Sequence, residues 1–190
     1  MKKKILSVFA VLLAAVLAAG CVPTEHTTIG VDPDFEGKAN AQLDFIQLNN
    51  DSIDRIDDKE PYSYVASLTI DGDDGTKTIT VLVGCIAETL EEDSRAFTAA
   101  VMKSIAASAA SQAIEYTEPG AGDFGTFWDA YNAEVKFVLN DDFEKAGAVP
   151  FYTYEHKAGE KIDLDPDIQG YVDEYYRQKA ILEKSLDNEQ

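Results

Sequence analysis

The most reactive group near the start of this chain is a cysteine thiol. Cys21 follows an apolar run over residues 5–19 and the small residues that end it. Three lysines at positions 2–4 precede the run, and this order of basic start, short apolar stretch and small residues is typical of a signal peptide. The run is shorter than the roughly 20 apolar residues of a membrane-spanning helix. A thiol placed there is free of side-chain bulk beyond Cβ and can form a thioether.

The stretch Leu17-Ala18-Ala19-Gly20-Cys21 resembles the lipobox of bacterial lipoproteins, in which the cysteine is lipidated and becomes the first mature residue. Ala19 and Gly20 match the family's pattern, whereas Ala18 stands where the family prefers Leu. The resemblance covers residues 1–21 alone. It implies lipid attachment at Cys21 by two or three acyl chains, which anchor durably because each buried methylene contributes about 0.8 kcal/mol. The alternative is a plain signal peptide followed by a cysteine.

These features predict three parts of the chain. Residues 1–20 form a cleaved signal peptide, residues 21–41 form the lipidated cysteine with a flexible tether, and residues 42–190 form one domain. The tether is polar and contains two prolines and two glycines, which favours a spacer. The predicted location is the bacterial cell envelope, where the lipid holds the domain on the extracytoplasmic side, at the outer membrane or cell surface.

The chain is strongly acidic, with a formal net charge of −19. Loss of the three signal-peptide lysines takes this charge to −22. Such a field repels phosphate backbones, so we expect no nucleic-acid partner. Cationic peptides, divalent ions and neutral glycans stay open as ligands, and solubility alone also explains an acidic surface.

Nucleophilic and metal chemistry have few candidates. Cys85 lies in the apolar run TVLVGCIA, where a free cysteine behaves as a small buried hydrophobe. A Ser–His–acid site would have to use His156, because His26 lies in the tether; we interpret His156 as a surface imidazole at a strand end. Glycine-rich phosphate loops are absent. The sequence therefore predicts no catalytic residue, no metal site and no cofactor.

Two acidic segments approach the pattern of a calcium loop. Residues 71–75 (DGDDG) fail its spacing and fit a hairpin turn better. Counting from Asp163, the carboxylates of Asp165, Asp167 and Glu174 take positions 3, 5 and 12, but Ile168 takes the glycine position. Calcium binding by an acidic cluster stays open, as do paired carboxylates for glycoside hydrolysis.

The first half of the domain contains strand and helix patterns. Gln42–Leu48 is interpreted as a short strand, and Tyr62–Ile70 and Lys77–Ala87 as an antiparallel hairpin. A helix is predicted from Ser94 to about Glu115, capped by Asp93 or Ser94. Its buried face carries four residues at helical spacing: Phe97, Val101, Ile105 and Ala109.

The second half is rich in aromatic residues. Asp123–Ala133 places four of them on one helical face: Phe124, Phe127, Trp128 and Tyr131. Residues 134–140 fit a strand or a continuation of that helix, Val149–His156 fits a strand, and a last helix opens at Asp165-Pro166. Its apolar stripe consists of Ile168, Val172, Tyr175, Lys179 and Leu182. These elements predict an α+β fold, an antiparallel sheet of about four to five strands with two or three helices packed on one face.

Tyrosine pairs offer one more ligand surface. Tyr62 and Tyr64, and likewise Tyr152 and Tyr154, alternate so as to share a strand face. Facing solvent, they form a platform for a sugar or peptide; facing inward, they belong to the core. We favour the core, because Ala66, Leu68 and Ile70 continue the Tyr62 face.

The functional hypothesis is a lipid-anchored envelope protein whose non-catalytic domain binds an envelope protein or glycan. One alternative is a lipid-anchored hydrolase with unidentified carboxylates. Another is an inhibitor or immunity-type lipoprotein that binds a basic partner.

Overall fold

The computed structural model describes residues 42–56 and 59–187. Cys21 and the segments predicted as signal peptide and tether lie outside this range. The described chain runs α1 (Phe45–Asp54), β1 (Val65–Asp73), β2 (Thr78–Cys85), α2 (Glu91–Gln112), β3 (Asn132–Leu139), β4 (Tyr152–His156) and α3 (Ile168–Asp187), with 3-10 turns at Glu60–Tyr62, Phe127–Asp129 and Asn140–Asp142. The predicted α+β class is confirmed. None of the helices in the described ranges is long and apolar enough to cross a membrane.

The four strands form one sheet in the order β1-β2-β3-β4. The two outer pairs are antiparallel, and Ile70 lies opposite Val81 in the predicted hairpin. The central pair is parallel, with Val81 opposite Val135. Parallel neighbours need a long crossover, and α2 with its following loop provides it. Residues 134–140, which fitted both a strand and a helix, lie mostly within β3.

The core lies on one face of the sheet. Ile79, Val81 and Val83 of β2 point into it and are fully buried, and the ring of Phe97 from α2 packs edge-on against Phe137 of β3 at 6.1 Å. Thr69, Asp71, Thr153 and Glu155, on the other face, are exposed. The helices pack on one face of the sheet, as predicted, because buried and exposed residues alternate along β2 and β4.

The strand prediction for Gln42–Leu48 is wrong, because this segment opens α1. The Asp44 carboxylate accepts hydrogen bonds from the amides of Ile46 (2.9 Å) and Gln47 (3.0 Å) and so caps the helix. Such a cap satisfies N–H groups that lack an intrahelical partner. Leu48 and Ser52, one helical turn apart, are both buried.

The helix prediction for Asp123–Ala133 is also wrong. Only a 3-10 turn forms, at Phe127–Asp129. Asp123 accepts hydrogen bonds from the amides of Gly120 (3.0 Å) and Gly125 (2.8 Å), and Gly125 has φ +69°. These local bonds compete with a helix. The four aromatic residues are nevertheless all buried, as their shared apolar character requires.

Several element boundaries differ from the sequence prediction. β1 continues through Asp73, so the hairpin turn lies at residues 74–77 rather than 71–75. Tyr62 and Tyr64 precede β1 instead of belonging to it, because a 3-10 turn that contains Pro61 forms there. α2 begins three residues before the predicted Ser94, and its predicted buried face is confirmed.

Candidate functional site

Two cavities open to solvent lie along the seam between α2 and α3. α2 presents Ala96, Ala100, Lys103 and Ala107 at helical spacing, on the face that flanks the one carrying Phe97. Three of these four side chains are single methyl groups, so α3 crosses without filling the gap. Two adjoining hollows result, both of which contact Asp167 and Ile168.

The larger hollow, here called the central cleft, has a volume of about 650 Å³. This lies within the usual range of ligand sites. Its walls come from α2, the end of α1, the loop before residue 122 and the start of α3. They mix apolar side chains and backbone with five polar or charged side chains, those of Arg55, Lys103, Ser104, Asp167 and Gln169. The full lining is Arg55, Ile56, Tyr62, Ala100, Lys103, Ser104, Ala107, Pro119, Gly120, Ala121, Pro166, Asp167, Ile168, Gln169 and Val172.

The second hollow, here called the acidic hollow, has a volume of about 600 Å³. Carboxylates line both of its walls: Glu91 and Glu92 from α2, and Asp165, Asp167 and Glu174 from the start of α3. The two glutamates lie in the first turn of α2, where the helix dipole favours negative charge. Arg95 is the one basic side chain among the lining residues.

Lys103 spans the gap between the helices. Its ammonium donates to the carbonyls of Gly120 (2.8 Å), Ala121 (3.0 Å) and Pro166. An ammonium has three donors, so these three bonds use all of them. Partial burial lowers the pKa of Lys103. The lysine is therefore a structural brace that ties α2 to the start of α3, and it has no donor left for a ligand.

Tyrosines fix the other side of the seam. Tyr171 of α3 donates to the Asp93 carboxylate (2.8 Å), and its ring stacks on Tyr62 at 5.7 Å and 8°. Tyr64 donates to the Asp93 carbonyl (2.8 Å). Burial raises the pKa of both Tyr64 and Tyr171, so both stay protonated donors. Asp93, predicted as a cap of α2, instead ties α2 to α3.

A third hollow lies on the far side of Ile56 and Tyr62. It has a volume of about 360 Å³ between α1 and β1, and its lining is largely apolar: Ile53, Ile56, Tyr62, Val65, Leu68 and Phe97, with Lys59, Ser63, Ala66 and Ser67. Ile56 and Tyr62 thus separate it from the central cleft.

The two side chains that sequence analysis considered for nucleophilic chemistry are both core residues. Cys85 is fully buried, and burial raises the pKa of its thiol to about 11. His156 is also buried, so its interpretation as a surface imidazole is wrong. Its Nε2 lies 3.1 Å from the Trp128 carbonyl, to which it donates, and its ring packs edge-on against Trp128.

The strand tyrosines face the core. Tyr154 is buried and Tyr152 is half-buried, on the same side of β4 as His156. Tyr62 is buried in the 3-10 turn. The core interpretation of these tyrosines is therefore confirmed, and they do not form a solvent-facing platform.

The acidic segments bind their own backbone. Asp73 accepts from the amides of Gly75 (2.7 Å) and Thr76 (3.2 Å), which lowers its pKa. Asp165 accepts from the amide of Asp167, and Asp167 from that of Gly170, at the start of α3. Within the described part of the chain, no group of three or more acidic, histidine or cysteine side chains is arranged to hold a metal ion.

Sequence reasoning missed the seam itself. Its one sequence signal is Lys103, a single charge in the alanine-rich helix AAVMKSIAASAA. No protein-family model, no curated protein and no solved structure matches the chain. Function is therefore argued from the seam and from the lipobox-like segment that ends at Cys21.

Proposed function

We propose that this protein is a lipid-anchored cell-envelope protein whose domain binds a segment of another envelope protein in the α2–α3 seam. The proposal is supported by the pair of adjoining hollows, which share Asp167 and Ile168 as lining residues. One has a mixed apolar and polar lining and the other is lined by carboxylates, so together they suit a segment with an apolar side chain next to a basic one. A neutral glycan lacks the positive charge that the acidic hollow favours.

Binding fits the seam better than catalysis because two of its polar side chains already make structural contacts. Lys103 has used its donors, and Asp93 accepts from Tyr171. The Arg177 guanidinium lowers the pKa of Glu174 to about 2. A general acid needs a raised carboxyl pKa, so Glu174 is a poor candidate and the hydrolase alternative gains no support there.

The acidic hollow also favours the inhibitor or immunity-type alternative, in which the ligand is a basic protein surface. Five carboxylates on two facing walls attract cations at long range. Affinity for a basic partner should fall steeply as NaCl rises from about 0.05 to about 0.5 M, because the Debye length shrinks severalfold. If the affinity did not change with salt, the central cleft would be the main determinant of binding.

Photo-cross-linking in intact cells tests the seam. A benzophenone amino acid replaces Gln169, which lines the central cleft, and in a control chain it replaces Thr153 on the exposed sheet face. The proposal expects an adduct from position 169 that Ala100→Trp abolishes by filling the cleft. An adduct that persists with Ala100→Trp, or that forms equally from position 153, would contradict it.

The anchor has its own test. Cys21→Ser removes the thiol that the lipid would occupy, so the variant should remain uncleaved or leave the membrane fraction. A variant that is processed and still partitions into detergent like the wild type would refute lipidation. Protease treatment of intact and lysed cells then separates a surface location, with degradation in both, from an internal one, with degradation only after lysis.

A further inference from the structure

The outer edge of β1 exposes backbone groups to solvent. In an antiparallel ladder, alternate residues turn their N–H and C=O groups away from the partner strand. The amide of Ile70 donates to the side chain of Asn49 in α1 (2.8 Å), so Ile70 is one of these outward residues. The register of β1 is regular from Ser67 onward, and Leu68 lies two residues before Ile70. Leu68 therefore also turns its backbone donor and acceptor outward.

α1 covers only part of this edge. Asn49 satisfies the Ile70 amide, and the ring of Phe45 lies so close to Gly72 that a Cβ there would meet it at 2.1 Å. α1 ends at Asp54, and no other described residue forms a hydrogen bond with the outward N–H of Leu68. An unpaired strand edge of this kind is a template for a further strand.

The third hollow lies beside this uncovered stretch. Residues 65–68 of β1 line it, together with Ile53 of α1 and Phe97 of α2. Leu68 is paired with Val83, whose side chain points into the core, so Leu68 faces the same side of the sheet. Residues opposite one another in neighbouring antiparallel strands project their side chains to one face. A strand added outside β1 would thus direct the side chain opposite Leu68 towards the third hollow.

We propose that the β1 edge binds an extended peptide segment of another protein by strand addition, with one bulky apolar side chain in the third hollow. The backbone of Leu68 needs backbone N–H and C=O groups as partners, whereas the largely apolar hollow of about 360 Å³ needs an apolar group. An extended peptide supplies both: its main chain gives affinity and the pocket gives specificity. A fatty acid would fill the hollow without pairing with the edge. This site is distinct from the α2–α3 seam and does not depend on the anchor.

Selection from a display library of random peptides tests the proposal on the purified full chain in detergent. Enriched peptides should share a bulky apolar residue. Each amide of one such peptide is then N-methylated in turn. Because only alternate amides of an added strand face β1, methylation should weaken binding about tenfold at every second position in the paired stretch. No enriched peptide, or methylation effects without a period of two, would overturn the proposal.

Leu68→Pro removes the outward donor from the protein side. Proline is accepted on an edge strand where its missing N–H would face outward, so the circular dichroism spectrum should stay that of the wild type. The affinity for the selected peptide should fall about tenfold. Unchanged affinity in this folded variant would contradict strand addition. If the variant does not fold, the methylation series alone decides.

Two further variants provide the controls. The amide of Asn132 donates to Lys77 of the β2 side, and so does that of every second residue of β3, including Lys136; the pair Lys136 and Thr153 is therefore not hydrogen-bonded. Thr153→Pro thus removes an outward donor from the opposite edge of the sheet, and Ala100→Trp fills the central cleft. Both should bind the peptide like the wild type. Loss of binding in either one equal to that in Leu68→Pro would refute the assignment to the β1 edge.

Discussion

The ammonium of Lys103, from the middle of α2, donates a hydrogen bond to the carbonyl of Pro166, just before α3 begins. The same ammonium binds the carbonyls of Gly120 and Ala121. One side chain thus joins α2, the loop that walls the central cleft and the start of α3. This single charge therefore helps to set the geometry of the seam.

Replacement of Lys103 by Met should destabilise the fold and disturb the seam. The substitution keeps the length of the side chain but leaves three carbonyls without their donor, at a cost of about 2 kcal/mol. Urea unfolding followed by circular dichroism measures the loss.

The matched control is Lys145→Met, which removes an exposed ion pair with Asp142. Exposed pairs contribute little to stability, so this variant should unfold at nearly the same urea concentration as the wild type. Equal losses in the two variants would contradict the role of Lys103 as a brace.

Gly125→Ala should destabilise the loop that walls the cleft. Gly125 has φ +69°, and a Cβ there would lie 2.4 Å from the Thr117 carbonyl oxygen. Backbone strain and this clash together should cost about 2 kcal/mol or more. Gly122→Ala is the control from the same loop, because a Cβ there meets nothing within 4 Å. Thermal melts of both variants should differ clearly, and similar melting temperatures would show that the loop adapts.

Acid should weaken the same loop through Asp123. The amides of Gly120 and Gly125 hold the pKa of this carboxyl below its ordinary 3.8. The folded state therefore binds fewer protons than the unfolded chain, so the contribution is complete above the ordinary pKa and is lost as pH falls through the lower folded-state value. Asp123→Asn should lower the melting temperature at neutral pH and flatten its fall in acid. Glu118→Gln, another exposed carboxyl of this loop, should leave the acid limb unchanged.

Cys85 should be unreactive in the folded protein. Its side chain is fully buried and its thiol has a pKa raised to about 11, and only a thiolate attacks a disulfide reagent. A Cys21→Ser chain, in which Cys85 is the one remaining thiol, should give no colour with Ellman's reagent at pH 8 until denaturant is added. Rapid labelling without denaturant would show that the β2 end opens readily.

Periodicity made part of this fold predictable. The α2 face of Phe97, Val101, Ile105 and Ala109 follows the helical repeat strictly, and all four residues are buried. The apolar run TVLVGCIA likewise predicted that Cys85 of β2 is buried, and it is. In α2 one period dominates over enough residues to outweigh local signals.

Competing local hydrogen bonds explain the errors. QLDFIQL alternates like a strand, but the carboxylate of Asp44 caps a helix within it. The aromatic run after Asp123 has helical spacing, but the bonds of Asp123 to Gly120 and Gly125 bend the chain instead. A carboxylate that accepts from a nearby amide leaves no periodic trace in the sequence.

The seam was beyond sequence reasoning for a different reason. Its hollows depend on where α3 crosses α2, which is set by contacts between distant residues such as Tyr62 with Tyr171. The stripe Ala96, Ala100 and Ala107 was visible, but short side chains suit close packing as well as a gap. Only the position of Lys103 among these alanines distinguishes a gap from close packing.

The parallel central pair of the sheet also sets the order in which the chain can fold. Val81 and Val135 are neighbours in the sheet but far apart along the chain, with all of α2 between them. The β1–β2 hairpin has local contacts and can form early, whereas the inner edge of β2 waits for α2 and its loop to be complete. Until β3 arrives, the apolar strand TITVLVGC presents an unpaired edge to other chains. Aggregation during synthesis therefore competes with the pairing of β2 and β3, which closes one long loop. Mutations that slow the formation of α2 should lower the yield of folded protein before they lower its stability.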